Sequence, residues 1–372
     1  MPSCDALFEW LLDGAPGATN APAIAQRIGD ELHAAGVPLD RFGVFVTTLH
    51  PNVLGRAFIW EPKKEMRVLS LTKEVRAAGT YDNSPIGWVN RNAKEWRWQK
   101  GDPDPGYGII PDLIAMGCVD YVCEPMIFTS GEVHVLTFAS NTGFTNEHLD
   151  AIRRITRPLA RLTEIYAMRR TAENVLSTYV GRHSGARVMA GRIFKGDVET
   201  IRAAIWFSDL RGFTEMSSKK TAKEMIGILN DVFECQVPAI EKRGGEVLKF
   251  IGDGLLAIFP ITEEKSAKVQ CVAALDAAAE TFEAMAKFPG LRIGLALHIG
   301  DVEYGNIGGA SRLDFTAIGS AVNLAARLEG VASKLGRPMV LSADFAKATE
   351  RSFEDLGAFE LKGISGPQRV FG

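Results

Sequence analysis

Two aspartates follow apolar runs and have the chemistry to hold a hard cation. Asp209 ends the strand-like run Ile201–Phe207, and Asp253 lies at the tip of a predicted hairpin. Adjacent strand ends of one sheet can bring these carboxylates together, where they repel each other unless a cation such as Mg²⁺ or Mn²⁺ is present. Gly212 allows a turn whose amides face phosphate oxygens. Taken singly, Asp209 is better explained as a helix N-cap and Asp253 as a turn aspartate, so the metal hypothesis depends on the pair.

The elements that must position this pair are predicted from residue 200 onward. Apolar periodicity alternates between strand and helix in the order β-α-β-β-α-β, which is typical of a ferredoxin-like split sandwich. Such a fold does not by itself define a function. The predicted elements are Ile201–Phe207, Thr221–Lys242, Glu246–Ile251, Leu255–Ile261, Glu263–Lys287 and Leu291–Ile299.

Three motifs in this region resemble the class III nucleotidyl (adenylate/guanylate) cyclase catalytic domain. They are Phe207–Thr214, Lys249–Gly254 and Ile318–Glu329, and they occur in the family's order and at similar spacing. The resemblance extends from about residue 201 to residue 366. Within the family, the chain resembles a bacterial subgroup that has a Lys/Thr purine-recognition pair.

The resemblance implies a role for each matching residue. Asp209, Asp253 and the Leu210 carbonyl would bind two divalent ions, Mg²⁺ or Mn²⁺. Asn323 and Arg327, four residues apart on one helix face, would orient the ribose and stabilise the transition state. Three further groups would hold the substrate. A turn at Phe213 and Thr214 would lie under the phosphates, and Lys249 and Thr316 would recognise the purine. Lys362 would contact the triphosphate, or else it is a solvated side chain.

The purine pair favours ATP over GTP. Many adenylate cyclases have Asp where this chain has Thr316, and the bacterial-type subgroup has Thr. The Thr316 hydroxyl can accept from adenine N6, and Lys249 can donate to N1, whereas guanine reverses both roles. Because a hydroxyl also donates, a guanylate cyclase is the alternative. A catalytically silent nucleotide-sensing dimerisation module is a second alternative, which retention of the whole catalytic set opposes.

In this family the site forms across a two-fold dimer, so the resemblance implies a homodimer through the catalytic domain and a linker helix. One protomer would supply the aspartates and the other the purine, ribose and arginine contacts. The linker, residues 151–199, contains an apolar seam at three- and four-residue spacing. The seam is either one face of a helix packed on its own domain or a dimerising signalling helix: Ile152, Ile155, Leu159, Leu162 and Tyr166. Residues 181–196 are predicted to be a basic, Gly-rich connector.

Residues 1–150 read as an α+β domain and weakly resemble a GAF-type sensor, with a PAS-like domain as the alternative. Four aromatic residues in a predicted irregular loop over 79–112 either line a ligand pocket or pack: Trp88, Trp96, Trp98 and Tyr107. We expect an unknown small-molecule effector. The predicted elements are a helix over 22–36, strands at Phe42–Leu49, Leu54–Trp60, Val119–Phe128 and Glu132–Ala139, and a helix beginning at Thr145.

Composition limits the other function classes. The chain has 372 residues and a net charge of −3, so no global charge favours nucleic acid. Five scattered cysteines are typical of a reducing compartment. No secretory signal and no apolar run of about 18 residues is present. We therefore expect a cytoplasmic protein without a membrane span, with a sensor (1–150), a helical linker (151–199) and a class III cyclase catalytic domain (200–372).

Overall fold

The computed structural model describes residues 4–47, 53–72, 81–309 and 312–372. It divides into two compact units, Met1–Val175 and Leu176–Gly372. Within the described ranges, no helix combines the length and apolar character needed to cross a membrane.

The first unit is built on a six-stranded antiparallel sheet in the order β3-β2-β1-β6-β5-β4. One face packs against α1, α2 and α5, where Ile28, Phe138 and Ile155 are fully buried. The other face is covered by α3 and α4. The elements are α1 Asp5–Leu12, α2 Ala21–Ala34, β1 Arg41–Thr47, β2 Val53–Trp60, β3 Arg67–Thr72, α3 Pro85–Asn92, β4 Trp96–Gln99, α4 Ile109–Ala115, β5 Asp120–Ile127, β6 Val133–Ser140 and α5 Asn146–Val180.

The prediction of an irregular loop over residues 79–112 is wrong for most of that range. It contains α3, β4 and the start of α4, while residues 79 and 80 lie outside the described ranges. Ser84 caps α3 by accepting from the Gly87 amide, and Pro85 begins it, so a Pro-rich start is a helix signal here. The four aromatic side chains pack in the core of this face. Of the predicted strand Phe42–Leu49, the last two residues also lie outside the described ranges.

The linker seam belongs to the core of the first unit. Ile152, Ile155, Leu159 and Leu162 are all buried against the sheet, and Tyr166 packs beside them. The structure therefore contradicts the dimerising interpretation of this particular seam. Pro158 lies inside α5 without ending it.

The second unit is an eight-stranded sheet with the order β13-β14-β12-β10-β7-β9-β8, and β11 pairs with β10. Its centre, β10-β7-β9-β8, is antiparallel and realises the predicted β-α-β-β-α-β order. The elements are α6 Arg182–Met189, β7 Val198–Leu210, α7 Phe213–Lys219, α8 Ala222–Lys242, β8 Glu246–Ile251, β9 Gly254–Pro260, α9 Ala267–Met285, β10 Ile293–Gly308, β11 Leu313–Ile318, α10 Ser320–Leu335, β12 Met339–Ser342, α11 Ala343–Thr349, β13 Asp355–Phe359 and β14 Gln368–Phe371.

The connector predicted over 181–196 contains a helix that packs on this sheet. The Ser184 hydroxyl, fully buried on α6, donates to Glu246, which also accepts from Tyr304. Gly185 permits α6 to lie close to the end of α5, since a Cβ there would lie 3.1 Å from Leu176. A buried carboxylate needs such donors, so α6 is part of the core rather than a free connector.

Candidate functional site

Strand pairing brings Asp209 and Asp253 together. β7 pairs with β9 so that Ser208 lies opposite Leu255, and Asp253 occupies the turn between β8 and β9. A Cβ on Gly254 would lie 2.9 Å from the Ser208 carbonyl oxygen and 3.4 Å from Asp209 Oδ1. Glycine is therefore needed for the hairpin tip to close on the end of β7.

The electrostatics of the pair fit a cation. Burial, reinforced by a hydrogen bond and repulsion from the Asp253 carboxyl, raises the pKa of Asp209 to about 7. Proximity of like charges at partly buried positions is costly unless a proton or a metal ion neutralises it. Within the part of the chain that the structure describes, no three His, Cys, Asp or Glu side chains converge as a metal cluster. Backbone oxygen, such as the adjoining Leu210 carbonyl, and substrate phosphate would therefore complete the coordination.

The turn that follows Asp209 is shaped by Gly212. Its φ of +73° is the left-handed conformation that favours glycine, and it precedes α7. Phe213 packs on the apolar cluster that includes Leu210, whereas Thr214 is exposed. The predicted turn at Phe213 and Thr214 is wrong, because the left-handed Gly212 ends the turn and both residues begin α7. The helix start is anchored by the Phe213 side chain, and the Thr214 side chain is open to solvent.

Arg211 and Glu329 form an ion pair at this turn that the sequence analysis missed. Arg211 Nη1 lies 2.7 Å from Glu329 Oε1, and both side chains are mostly buried. The pair lies over Gly294, where a Cβ would overlap the guanidinium and approach Glu329 Oε1 to 2.5 Å. Burial raises the pKa of Glu329, and Arg211 opposes this shift. The pair ties the turn that follows Asp209 to α10, and no local sequence signal reveals it, because Arg211 and Glu329 are 118 residues apart.

Helix α10 presents its other side to solvent. Asn323 and Arg327 are exposed, while Ala321, Ala325 and Leu328 are buried. Neither exposed side chain has a hydrogen bond or ion pair with any described residue. Within one chain, this asparagine and arginine are therefore not joined to the aspartate pair.

The predicted purine pair lies on two facing strands, with an unforeseen third member. Lys249 on β8 forms an ion pair with Asp314 on β11. Thr316 is two residues further along β11, so its side chain shares a face with Asp314, and it is buried. The Asp314 carboxylate therefore ties Lys249 to β11, the strand that carries Thr316. Lys362 is exposed after β13, and no contact joins it to this group among the described residues.

Comparison with known proteins places the second unit in a family. Residues 198–371 match the family model described as the adenylate and guanylate cyclase catalytic domain. These residues are a class III nucleotidyl cyclase domain. This result confirms the family predicted from the three motifs. The GAF resemblance of the first unit is not confirmed.

The cyclase domain has relatives among characterised proteins. An adenylate cyclase of Anabaena cylindrica is 36% identical over 190 residues, covering 48% of this chain and 36% of that protein. Adenylate cyclase 1 of Rhizobium meliloti is 29% identical over 168 residues, covering 43% of this chain and 25% of that protein. The crystal structure of the adenylyl cyclase CyaB from P. aeruginosa aligns with 27% identity and a TM-score of 0.42, covering 47% of this chain and 94% of that one. The chain thus matches about a third or less of these curated relatives' length.

The carboxylate pair predicts a stability gain when one charge is removed. The folded-state pKa of Asp209 lies above its ordinary value, so metal-free protein loses stability as pH rises through about 7. We expect Asp253→Asn to raise the Tm of the metal-free cyclase unit at about pH 8. Each kcal/mol of carboxylate repulsion that is removed should raise the Tm by about 2–4 °C. At about pH 5, where the Asp209 carboxyl is already protonated, we expect little gain. Differential scanning calorimetry measures both.

The matched control for that experiment is Asp301→Asn, a surface aspartate paired with Arg202. Equal changes at both pH values in Asp253→Asn would show that the two carboxylates do not compete. Added Mn²⁺ should raise the Tm of the wild type and not that of Asp253→Asn.

The Arg211–Glu329 pair predicts a positioning role. In Glu329→Gln, Arg211 loses its partner and is free to pair with an aspartate, in competition with a cation. We expect the Mn²⁺ concentration that half-stabilises the protein to rise by about 10–100-fold. Thermal shift against Mn²⁺ concentration measures this without an activity assay. The control is Glu354→Gln, which breaks the surface pair with Arg337. The same Mn²⁺ concentration for half-stabilisation in both variants would show that Glu329 contributes to the fold alone and does not position the turn.

Proposed function

We propose that this chain is an adenylate cyclase that converts ATP to 3′,5′-cyclic AMP and pyrophosphate. The observation that carries the proposal is the convergence of Asp209 and Asp253 beside the left-handed turn at Gly212. The matching Anabaena and Rhizobium proteins are named adenylate cyclases, which supports the same substrate. The family model covers guanylate cyclases also, so GTP is the competing substrate.

In the proposed reaction the ribose 3′-oxygen attacks the α-phosphorus, and the bond to pyrophosphate breaks. Asp209, Asp253 and the Leu210 carbonyl would hold two divalent ions, Mg²⁺ or Mn²⁺, whose Lewis acidity assists the attacking and leaving oxygens. The first residues of α7, Phe213 and Thr214, lie under the phosphates, and Lys362 contacts the triphosphate. Arg327 offsets charge that develops on the α-phosphate.

The remaining residues orient the nucleoside. Asn323 fixes the ribose. Thr316 accepts from adenine N6 and Lys249 donates to N1. The Asp314 carboxylate, which lies on the same strand as Thr316, pairs with Lys249. This arrangement is the physical basis for proposing ATP rather than GTP.

Two half-sites in one chain support a homodimer. The aspartate pair and the exposed Asn323 and Arg327 are separate within one chain, so a two-fold dimer can complete two sites. A monomer would then be inactive.

Helix α5 offers a surface for the same dimer. On the second half of α5, a second stripe of mostly apolar residues repeats at alternating spacings of three and four residues. We call this stripe the exposed seam. At a and d positions of a heptad, such a stripe matches a second, parallel copy of itself. Four of its members are exposed and Ala172 is half-buried: Ile165, Met168, Ala172, Val175 and Tyr179.

The first unit is proposed as the regulatory part. It has its own sheet and core, and α5 continues in sequence past Val175, where the first unit ends. A GAF-like sensor of a small effector fits this α+β arrangement. A cytoplasmic location belongs to the proposal, because all five cysteines are buried free thiols.

The activity is tested with purified full-length chain, ATP or GTP, and Mg²⁺ or Mn²⁺ in parallel. We expect cyclic AMP, with kcat/KM for GTP at least about tenfold lower, since mispaired purine edges cost about 1.5 kcal/mol or more. Asp253→Asn should abolish product, and Asp301→Asn should not. Cyclic GMP as the main product would overturn the purine assignment, and no product from either nucleotide would overturn the enzyme assignment.

The shared site has its own control. Inactive Asp253→Asn and inactive Arg327→Ala chains are mixed after dissociation. Half of the dimers that form then contain one chain of each variant, and each of these heterodimers retains one complete site out of two. About a quarter of wild-type activity should therefore return. Mixed dimers without activity would contradict a site built from two chains.

The exposed seam predicts a specific effect on assembly. Met168→Asp places a charge in the proposed interface, and we expect the dimer Kd to rise at least about tenfold, since an unpaired buried charge is costly. Ser177→Asp adds the same charge on the opposite side of α5 and serves as control. Sedimentation equilibrium measures both, and equal dimer stability in the two variants would exclude the seam as an interface.

A further inference from the structure

The first unit contains a cavity of about 410 Å³ that no part of the proposed reaction uses. It lies between the start of α2, strands β1 and β2, and the second half of α5. Val46, Phe58, Tyr166 and Ala167 supply an apolar floor that continues the core of the unit. This volume lies within the about 300–1,000 Å³ of small-molecule sites.

The cavity's charged groups are mainly arginines. Arg56, Arg169 and Arg170 line it, against one carboxylate, Glu173. Arg169 and Arg170 share that carboxylate, with N–O distances of 3.3 and 3.4 Å. Arg56 has no hydrogen-bonded or charged partner among the described residues. The cavity therefore has a surplus of guanidinium donors, and Arg is suited to planar oxyanions.

Polar groups at the start of α2 add to this character. The Asn20 side chain accepts from the Ala23 amide and caps the helix, whose positive end points at the cavity. Thr163 lines the opposite wall on α5. An apolar floor with cationic and polar walls selects a ligand with both characters.

From this arrangement we infer that the cavity binds a small organic anion, a carboxylate, sulfonate or phosphate that carries an apolar or aromatic body. The apolar body would lie on Phe58 and Tyr166. The anionic group would be held by Arg56 and Arg170.

Helix geometry connects this cavity to the exposed seam. Thr163, Tyr166, Ala167, Arg170 and Asn174 line the cavity at helical spacing. The exposed seam occupies the opposite side of the same turns of α5. A ligand that fixes the cavity side therefore fixes the helix whose other side is proposed to meet a second copy. This regulatory part of the inference rests on the proposed cyclase activity, whereas ligand binding does not.

The binding test uses 8-anilino-1-naphthalenesulfonate with full-length protein, and the neutral N-phenyl-1-naphthylamine as its matched probe. We expect one sulfonate probe per chain by fluorescence titration, and binding of the neutral probe at least about tenfold weaker. The double variant Arg56→Ala/Arg170→Ala should weaken sulfonate binding at least about tenfold, the value of a charge-assisted hydrogen bond of about 1.5 kcal/mol. It should leave the neutral probe unchanged.

Two further variants keep the test decisive. Arg67→Ala/Arg91→Ala removes two exposed arginines of the same unit outside the cavity and should leave binding unchanged. Ala167→Trp fills the cavity and should abolish binding of both probes, with circular dichroism reporting that the fold is retained. Sulfonate binding that is unaffected by the cavity arginines, or that saturates at several sites per chain, overturns the site.

The regulatory part is measured separately. The sulfonate probe should change the rate of cyclic nucleotide formation in the wild type and not in Arg56→Ala/Arg170→Ala, whose basal rate should equal that of the wild type. One-site binding without a change in rate overturns the coupling and leaves the binding site standing. Absence of any cyclase activity overturns the proposed function, and the binding titration still decides the cavity.

Discussion

Two like-charged carboxylates held within hydrogen-bonding reach are the constraint on which the cyclase domain depends. Left to themselves, Asp209 and Asp253 would separate. They cannot, because β7 is paired with β10 along its whole length and with β9 from Ala203 to Ser208, and β8 pairs with β9 up to the hairpin tip. The sheet therefore supplies the energy that keeps an electrostatically unfavourable site ready for a cation, a form of preorganisation typical of active sites.

Small residues make this preorganisation possible. At Gly254 the hairpin meets the end of β7, and at Gly294 a buried ion pair lies directly on the sheet. The pair, Arg211 with Glu329, also links the turn that follows Asp209 to α10. In the proposed dimer that helix serves the partner's site, so one ion pair connects the halves of two different sites.

Helix α5 changes its role along its length. Its first half buries a stripe through Ile155 and Leu159 in the core of the first unit. Its second half lines an arginine-rich cavity on one side and exposes Met168 and its seam neighbours on the other. A single helix in contact with a core, a cavity and a potential dimer surface is well placed to transmit ligand binding.

The amino-acid sequence by itself determined the cyclase family, the order of the central strands and which two aspartates come together, because short motifs and apolar periodicity are local properties. Only the tertiary structure decided which stripe of α5 is buried, since Ile152–Tyr166 and Ile165–Tyr179 have the same spacing and differ only in what packs against them. The same holds for Asp314 beside Lys249 and Glu329 beside Arg211, which are 65 and 118 residues apart in the chain. Long-range contacts of this kind leave no local signal, because the partner that makes a charge functional is chosen by sheet register and helix packing.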